Sequence, residues 1–197
     1  MATVTPRQPP VFNLPNQLTA ARFVLGLVLF ALVEMESWVS CIVVFALAAL
    51  TDWLDGYLAR KQGLVSTLGR NLDPLVDKVV ICGAYIFLLR KVDSGLSAWM
   101  VTLVVGRELI ITGLRSFMEN LGANFGAEWL GKIKMVLQCA TLFAIFIFLE
   151  CAAQETSSEP LLWIRNSFIY AMLVATALSG LQYIWRAFEL LKPENLQ

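Results

Sequence analysis

"TDWLDGYLARKQGLVSTLGRNLDPLVDKVV", residues 51–80, sets four aspartates, Asp52, Asp55, Asp73 and Asp77, between two apolar runs. The surrounding chain reads as lipid-embedded. Of its 197 residues 58% are hydrophobic, and the mean hydropathy is +0.68, above the usual range of soluble proteins. Acid is expensive in hydrocarbon, so carboxylates held there mark function more often than packing.

Helix length decides where the four belong. A membrane-crossing helix needs about 20 mostly apolar residues. The clean runs on either side, "WVSCIVVFALAALT" and "VVICGAYIFLL", are too short alone. They reach full length only if one helix takes in Asp52 and Asp55 at its end and the next begins with Asp73 and Asp77. Working outward, the same criterion gives six spans: Leu18 to Met35, Trp38 to Arg60, Asn71 to Lys91, Ser97 to Phe117, Leu130 to Ala152 and Leu161 to Leu190. The expected fold is therefore an all-α integral membrane protein with six transmembrane helices. Residues 1–17 precede them as a proline-rich interfacial segment, and 18–197 form one catalytic domain.

Basic residues set the expected orientation. Arg60, Lys61, Arg70, Arg115, Lys132, Arg186 and Lys192 fall on one side. The opposite links, "EMES" and "CAAQETSSEP", hold acids and no Lys or Arg, while Arg90 and Lys91 break the pattern. The majority places both termini and the aspartate link in the cytoplasm. Retention of the first hydrophobic segment is expected, because no cleavable signal pattern precedes it. Cys41, Cys82, Cys139 and Cys151 lie in or beside apolar runs without CxxC spacing and read as small core residues. Trp38, Trp99, Trp163 and Trp185 read as interface-belt residues.

The chain contains no histidine, so acid–base and metal chemistry fall to carboxylates. Asp52 and Asp55 stand i, i+3, and Gly69, Asp73 and Asp77 step by four, so each set lies on one face of its helix. The short link makes the two helices antiparallel neighbours whose acidic faces can meet. Crowded carboxylates repel one another, and hard divalent cations relieve that repulsion; oxygen-only donors favour Mg²⁺ or Mn²⁺ over zinc. A pair of such ions serves phosphoryl displacement. Gly56, Ala59 and Gly69 remove bulk where a ligand or helix must come close, and Arg60 can meet phosphate charge. The bland alternative is a solvated, acidic helix end.

Residues 52–77 read D-x2-D-G-x2-A-R-x8-G-x3-D-x3-D. This pattern resembles the signature of the CDP-alcohol phosphotransferase (CDP-alcohol phosphatidyltransferase) family at every fixed position. The resemblance implies a six-helix membrane enzyme, a homodimer, in which an alcohol displaces CMP from a CDP-linked substrate. It implies two divalent cations, Mg²⁺ or Mn²⁺, on Asp52, Asp55, Asp73 and Asp77, with Asp77 also the base. It further implies a CDP-binding set of Asn16, Thr19, Gly56, Ala59, Arg60, Ser66 and Gly69. "NLPNQLTAARF" (13–23), with Asn13, Pro15, Asn16, Thr19 and Arg22, is similar to the bacterial phosphatidylglycerophosphate synthase branch of that family. So are "GRELIITGLRSF" (106–117) and "GKIKMVLQ" (131–138), with departures at Ser116 and Met135.

Arg107 and Arg115 lie two turns apart on one expected span, and Lys132 and Lys134 open the next. Such a cluster suits an acceptor that itself bears a phosphate, such as glycerol 3-phosphate. Topology marking is the alternative for Lys132, and an ion pair with Glu108 is the alternative for Arg107. Lys78, beside Asp77, could tune it or pair elsewhere.

The expected reaction joins CDP-diacylglycerol and glycerol 3-phosphate to give phosphatidylglycerol phosphate and CMP. Membrane lipid is an expected partner and nucleic acid is not. Rival acceptors are inositol phosphate, phosphatidylglycerol as in a cardiolipin synthase, or serine. From another class, a divalent-cation transporter would also use intramembrane carboxylates.

Overall fold

A chain segment in lipid must satisfy its own backbone hydrogen bonds, and helices do so locally. The computed structural model describes residues 14–62, 67–120, 129–156 and 158–190, with side chains for 17–51, 74–118, 129–156 and 158–190. All the regular structure among them is helical: α1 (Leu14–Glu34), α2 (Trp38–Gln62), α3 (Thr67–Leu88), a 3-10 turn (Val92–Ser94), α4 (Ala98–Asn120), α5 (Trp129–Ala153) and α6 (Glu159–Leu190).

These are the six expected helices, with their ends moved by a few residues. The expected interfacial segment gives its last four residues to α1, which starts at Leu14 rather than Leu18. Pro15 fits in that first turn, where its missing N–H needs no partner. Residues 1–13 lie outside the described residues. α3 likewise starts four residues early and runs on through Pro74. Pro74 lacks the N–H that would bond one turn back, so the ladder misses a rung directly beside Asp73.

α1, α5 and α6 are each long and apolar enough to cross a membrane, and Trp38–Thr51 of α2 is a shorter apolar run. Leu47, Ile110, Val136, Tyr170, Val174 and Leu181 project outward from their helices, largely exposed. Apolar surface spread over so many helices is matched by lipid rather than water. The protein is thus an all-helical membrane protein.

The contacts fall into two units, Met1–Ala84 and Tyr85–Gln197, with the boundary inside α3. In the first, α1 packs on α2 and buries Thr19, Arg22, Leu29 and Val33 at helical spacing. α3 approaches α1 where glycine allows it. A Cβ on Gly26 would stand 2.6 Å from Val80 Cγ2, and one on Gly83 would enter the Phe30 ring. Trp38 departs from the expected interface belt. It is buried at 5% exposure at the start of α2, whereas Trp99, Trp163 and Trp185 are exposed. Glu36 adopts φ 58°, and Ser37 N–H closes back on Leu32 O at 3.1 Å.

In the second unit α6 packs on both α4 and α5. Leu142, Ile145, Phe146 and Leu149 of α5 and Ile169, Met172 and Leu173 of α6 form buried rows. Thr141 Oγ1 donates across to Phe168 O at 3.1 Å. α5 ends as α1 does, with Glu155 at φ 55° and Thr156 N–H bonded to Cys151 O at 2.9 Å. Near that end, Arg165 stacks 4.1 Å from the Phe148 ring and donates to Asp93 O at 2.6 Å. Gly95, at φ 75°, lies flat against the same guanidinium, where a side chain would have no room. The four cysteines form no disulfide, and Cys41 is buried.

Replacing Gly83 by leucine overfills the α1–α3 contact and is expected to cost about 1–3 kcal/mol, read as a lower thermal midpoint in detergent. Gly113, with nothing within 4 Å of its would-be Cβ, is the control: Gly113→Ala leaves that midpoint unchanged or raises it.

Candidate functional site

Both aspartate pairs fall inside helices, as the length criterion requires: Asp52 and Asp55 in α2, Asp73 and Asp77 in α3. Gly56, Ala59 and Arg60 share α2, and Gly69 lies in the first turn of α3. The side chains of Asn16, Asp52, Asp55, Ala59, Arg60 and Asp73, and all of Ser66, lie outside the described residues. Among the described residues no three metal-ligating side chains come together. Asp77 alone of the four can be followed to its atoms.

Asp77 is held by a residue the motif does not contain. Arg22 Nη1 donates to Asp77 Oδ1 at 2.8 Å, with the Arg22 side chain 3% exposed and the carboxylate 22%. Arg22 reaches it because Thr19, Arg22 and Gly26 share the α1 face that meets α3, and Gly26 lets the helices close on Val80. An arginine at such a depth needs an anion, and one oxygen of Asp77 supplies it. The pair spans 55 residues, so only the resemblance of the "NLPNQLTAARF" stretch singled out Arg22 in the sequence.

For divalent ions the donor set fits: four carboxylates on two successive helices, oxygen only, with no His in the chain and no Cys among the four positions.

In the second unit a different set of charges converges. Glu108, buried in α4, accepts from Arg107 Nη1 at 3.3 Å and from Lys134 Nζ. The side chains of Arg107, Glu108 and Lys134 are 10%, 6% and 7% exposed. Arg115 Nη2 donates to Tyr183 Oη at 2.9 Å, and the guanidiniums of Arg107 and Arg115 each lie 5.5 Å from the Tyr183 ring centre. Gly180, one turn before Tyr183, admits the stem of Arg107 at close range. Of the four expected cations, therefore, Arg107, Arg115 and Lys134 come together. Lys132 stands apart from them, exposed, with its ammonium 6.0 Å from the Trp129 ring centre. The ion-pair alternative for Arg107 holds, since Glu108 binds it.

That pairing leaves donors over. Glu108 accepts from Arg107 and Lys134 while Arg115 turns to Tyr183, and Arg107 Nε, Arg107 Nη2 and Arg115 Nε are buried donors with no acceptor among the described residues. Gln138 Nε2, one turn beyond Lys134 on α5, is buried in the same condition. Buried N–H groups of this kind are costly unless something accepts from them, and guanidiniums with open donors are matched to phosphate or carboxylate. The site can therefore bind an anion. Sequence reasoning found the cations but not Tyr183 or the central place of Glu108, which needed α6 and α4 in contact.

A family model described as CDP-alcohol phosphatidyltransferase matches residues 12–181. The chain is 34% identical to the CDP-diacylglycerol–glycerol-3-phosphate 3-phosphatidyltransferase of Bacillus subtilis (strain 168), covering 94% of this chain and 100% of that protein. It is 32% identical to the protein of the same name from Escherichia coli (strain K12), covering 88% and 93%. Another of that name, from Pectobacterium atrosepticum, is 34% identical over 68% of this chain and 76% of its own.

Glu108→Ala leaves buried cations without their carboxylate and is expected to cost about 3–5 kcal/mol, seen as a lower thermal midpoint. Inorganic phosphate at tens of millimolar should recover part of that loss, because it binds the folded state alone.

Proposed function

The chain belongs to the CDP-alcohol phosphatidyltransferase family, and from that premise we propose that it transfers the phosphatidyl group of CDP-diacylglycerol to glycerol 3-phosphate, releasing CMP. The observation that carries the acceptor is the surplus of buried guanidinium donors at Arg107 and Arg115 beside Lys134. A phosphate monoester brings nearly two negative charges and three acceptor oxygens, which suits that surplus. An acceptor without phosphate would leave the donors unmatched. The names of the relatives over nearly their full length point to the same pair of substrates.

In this reading Asp52, Asp55, Asp73 and Asp77 hold two divalent ions, which when bound neutralise pyrophosphate charge and stabilise the developing CMP anion. Gly56, Ala59 and Gly69 leave room for the CDP portion, and Asn16, Thr19, Arg60 and Ser66 bind it. Asp77 takes the proton of the glycerol hydroxyl, and that oxygen attacks the phosphorus that carries diacylglycerol. The bond from that phosphorus to the CMP oxygen breaks, and CMP leaves with the electron pair. Arg22 orients Asp77 for this step through the 2.8 Å contact to Oδ1. Arg107, Arg115 and Lys134 hold the acceptor by its phosphate, which leaves its hydroxyl free to react.

The reading includes six membrane-spanning helices, the aspartate motif and both termini on the cytoplasmic side of the cell membrane, and a homodimer, as the loop charges and the family resemblance imply. A lipid donor gives the arrangement its purpose: the acyl tails stay in the bilayer while the head group reaches a polar site at its edge.

Purified protein should release CMP from CDP-diacylglycerol only with glycerol 3-phosphate and with Mg²⁺ or Mn²⁺, and a chelator should abolish turnover. Equal turnover with serine, inositol phosphate or phosphatidylglycerol overturns the acceptor assignment. Asp77→Asn should lower kcat by about 10²–10⁴-fold in a protein that still folds.

A further inference from the structure

We propose that Tyr183 is a positioning residue for the acceptor: it holds Arg107 and Arg115 together as one phosphate-binding pair. The proposal rests on the reading that these two arginines bind the acceptor phosphate. The two guanidiniums start eight residues apart on α4, about 12 Å along the helix axis, yet both come to 5.5 Å from the centre of one ring. Like charges brought together repel, and more strongly when screened from water. The ring offsets that repulsion with its negative π face, which attracts a cation within about 6 Å. Its hydroxyl adds a directed contact, accepting from Arg115 Nη2 at 2.9 Å.

The surroundings hold the phenol where it is. Tyr183 is 2% exposed and packs in an apolar cluster with Ile111, Met118 and Ala187. Gly131 leaves space beside the Tyr183 hydroxyl, where a Cβ would stand at 3.4 Å, and Gly180 does the same beside the stem of Arg107. Each arginine is thus fixed by one part of its guanidinium, Arg107 also by Glu108, while Arg107 Nε, Arg107 Nη2 and Arg115 Nε have no acceptor among the described residues. A pre-ordered fork loses less side-chain freedom when phosphate arrives, and that difference appears as affinity. A tyrosine that merely filled the core would need neither the hydroxyl contact nor two cations on its ring.

The test separates acceptor affinity from everything else. Tyr183→Phe keeps the ring and removes the hydroxyl; Tyr183→Leu removes both. KM for glycerol 3-phosphate should rise about fivefold in the first and about thirtyfold in the second, with kcat and KM for CDP-diacylglycerol within about twofold of wild type for Tyr183→Phe. Competitive inhibition by inorganic phosphate should weaken in parallel. An unchanged KM for glycerol 3-phosphate in Tyr183→Phe, or an equal loss in both substrates' KM, overturns the proposal. Should Tyr183→Leu not fold, Tyr183→Phe decides alone. Arg107→Ala and Arg115→Ala distinguish the two levels. If they raise that KM and the Tyr183 variants do not, positioning by Tyr183 is wrong and the acceptor site stands. If none of the four moves it, the acceptor site itself is misassigned.

Discussion

Charge taken out of water must be matched by charge, and that constraint organises both units of this protein. In the first, Arg22 would be untenable on the inner face of α1 without Asp77, and the helices close around the pair where glycine permits. In the second, Glu108 draws Arg107 and Lys134 to one point on α4. Around these anchors the packing is ordinary: aliphatic rows on α5 and α6, a threonine bridging two helices, and an arginine clasp near the start of α6.

The two centres are built differently, and the difference gives each its proposed use. Arg22 donates to Asp77 at 2.8 Å, which orients a carboxylate whose proposed work is to accept a proton. Among the described residues, the cluster around Glu108 gathers three cations to that one carboxylate and to Tyr183, and it keeps guanidinium N–H groups without acceptors. Positive charge beside buried donors is a binding site for an anion, and Tyr183 lets two arginines share that task without driving each other apart.

Much of this was legible in the residues. Six helices follow from apolar run length, and the insistence that the aspartates belong inside two of them holds for α2 and α3. The ends moved where chemistry local to the turn overrode hydropathy: Pro15 suits a first turn, so α1 begins before its apolar run does. Trp38 was misjudged because hydropathy and position cannot tell an inward from an outward indole, and here the indole is buried. Lys132 and Lys134 look alike in sequence, yet two residues along a helix is a rotation of about 200°, and only Lys134 faces Glu108.

What the sequence determined by itself is therefore the local and periodic part: the helices, the spacing that puts Asp52 with Asp55 and Asp73 with Asp77, and the motif that ties the chain to its family. Those properties depend on residues within a turn or two of one another. Pairing across 55 residues from Arg22 to Asp77, or 68 from Arg115 to Tyr183, was decided only by the packing of one helix on another. Electrostatic partnership is a matter of distance in space, and in a helical bundle the register of each contact, set by small residues such as Gly26 and Gly180, converts sequence into that distance.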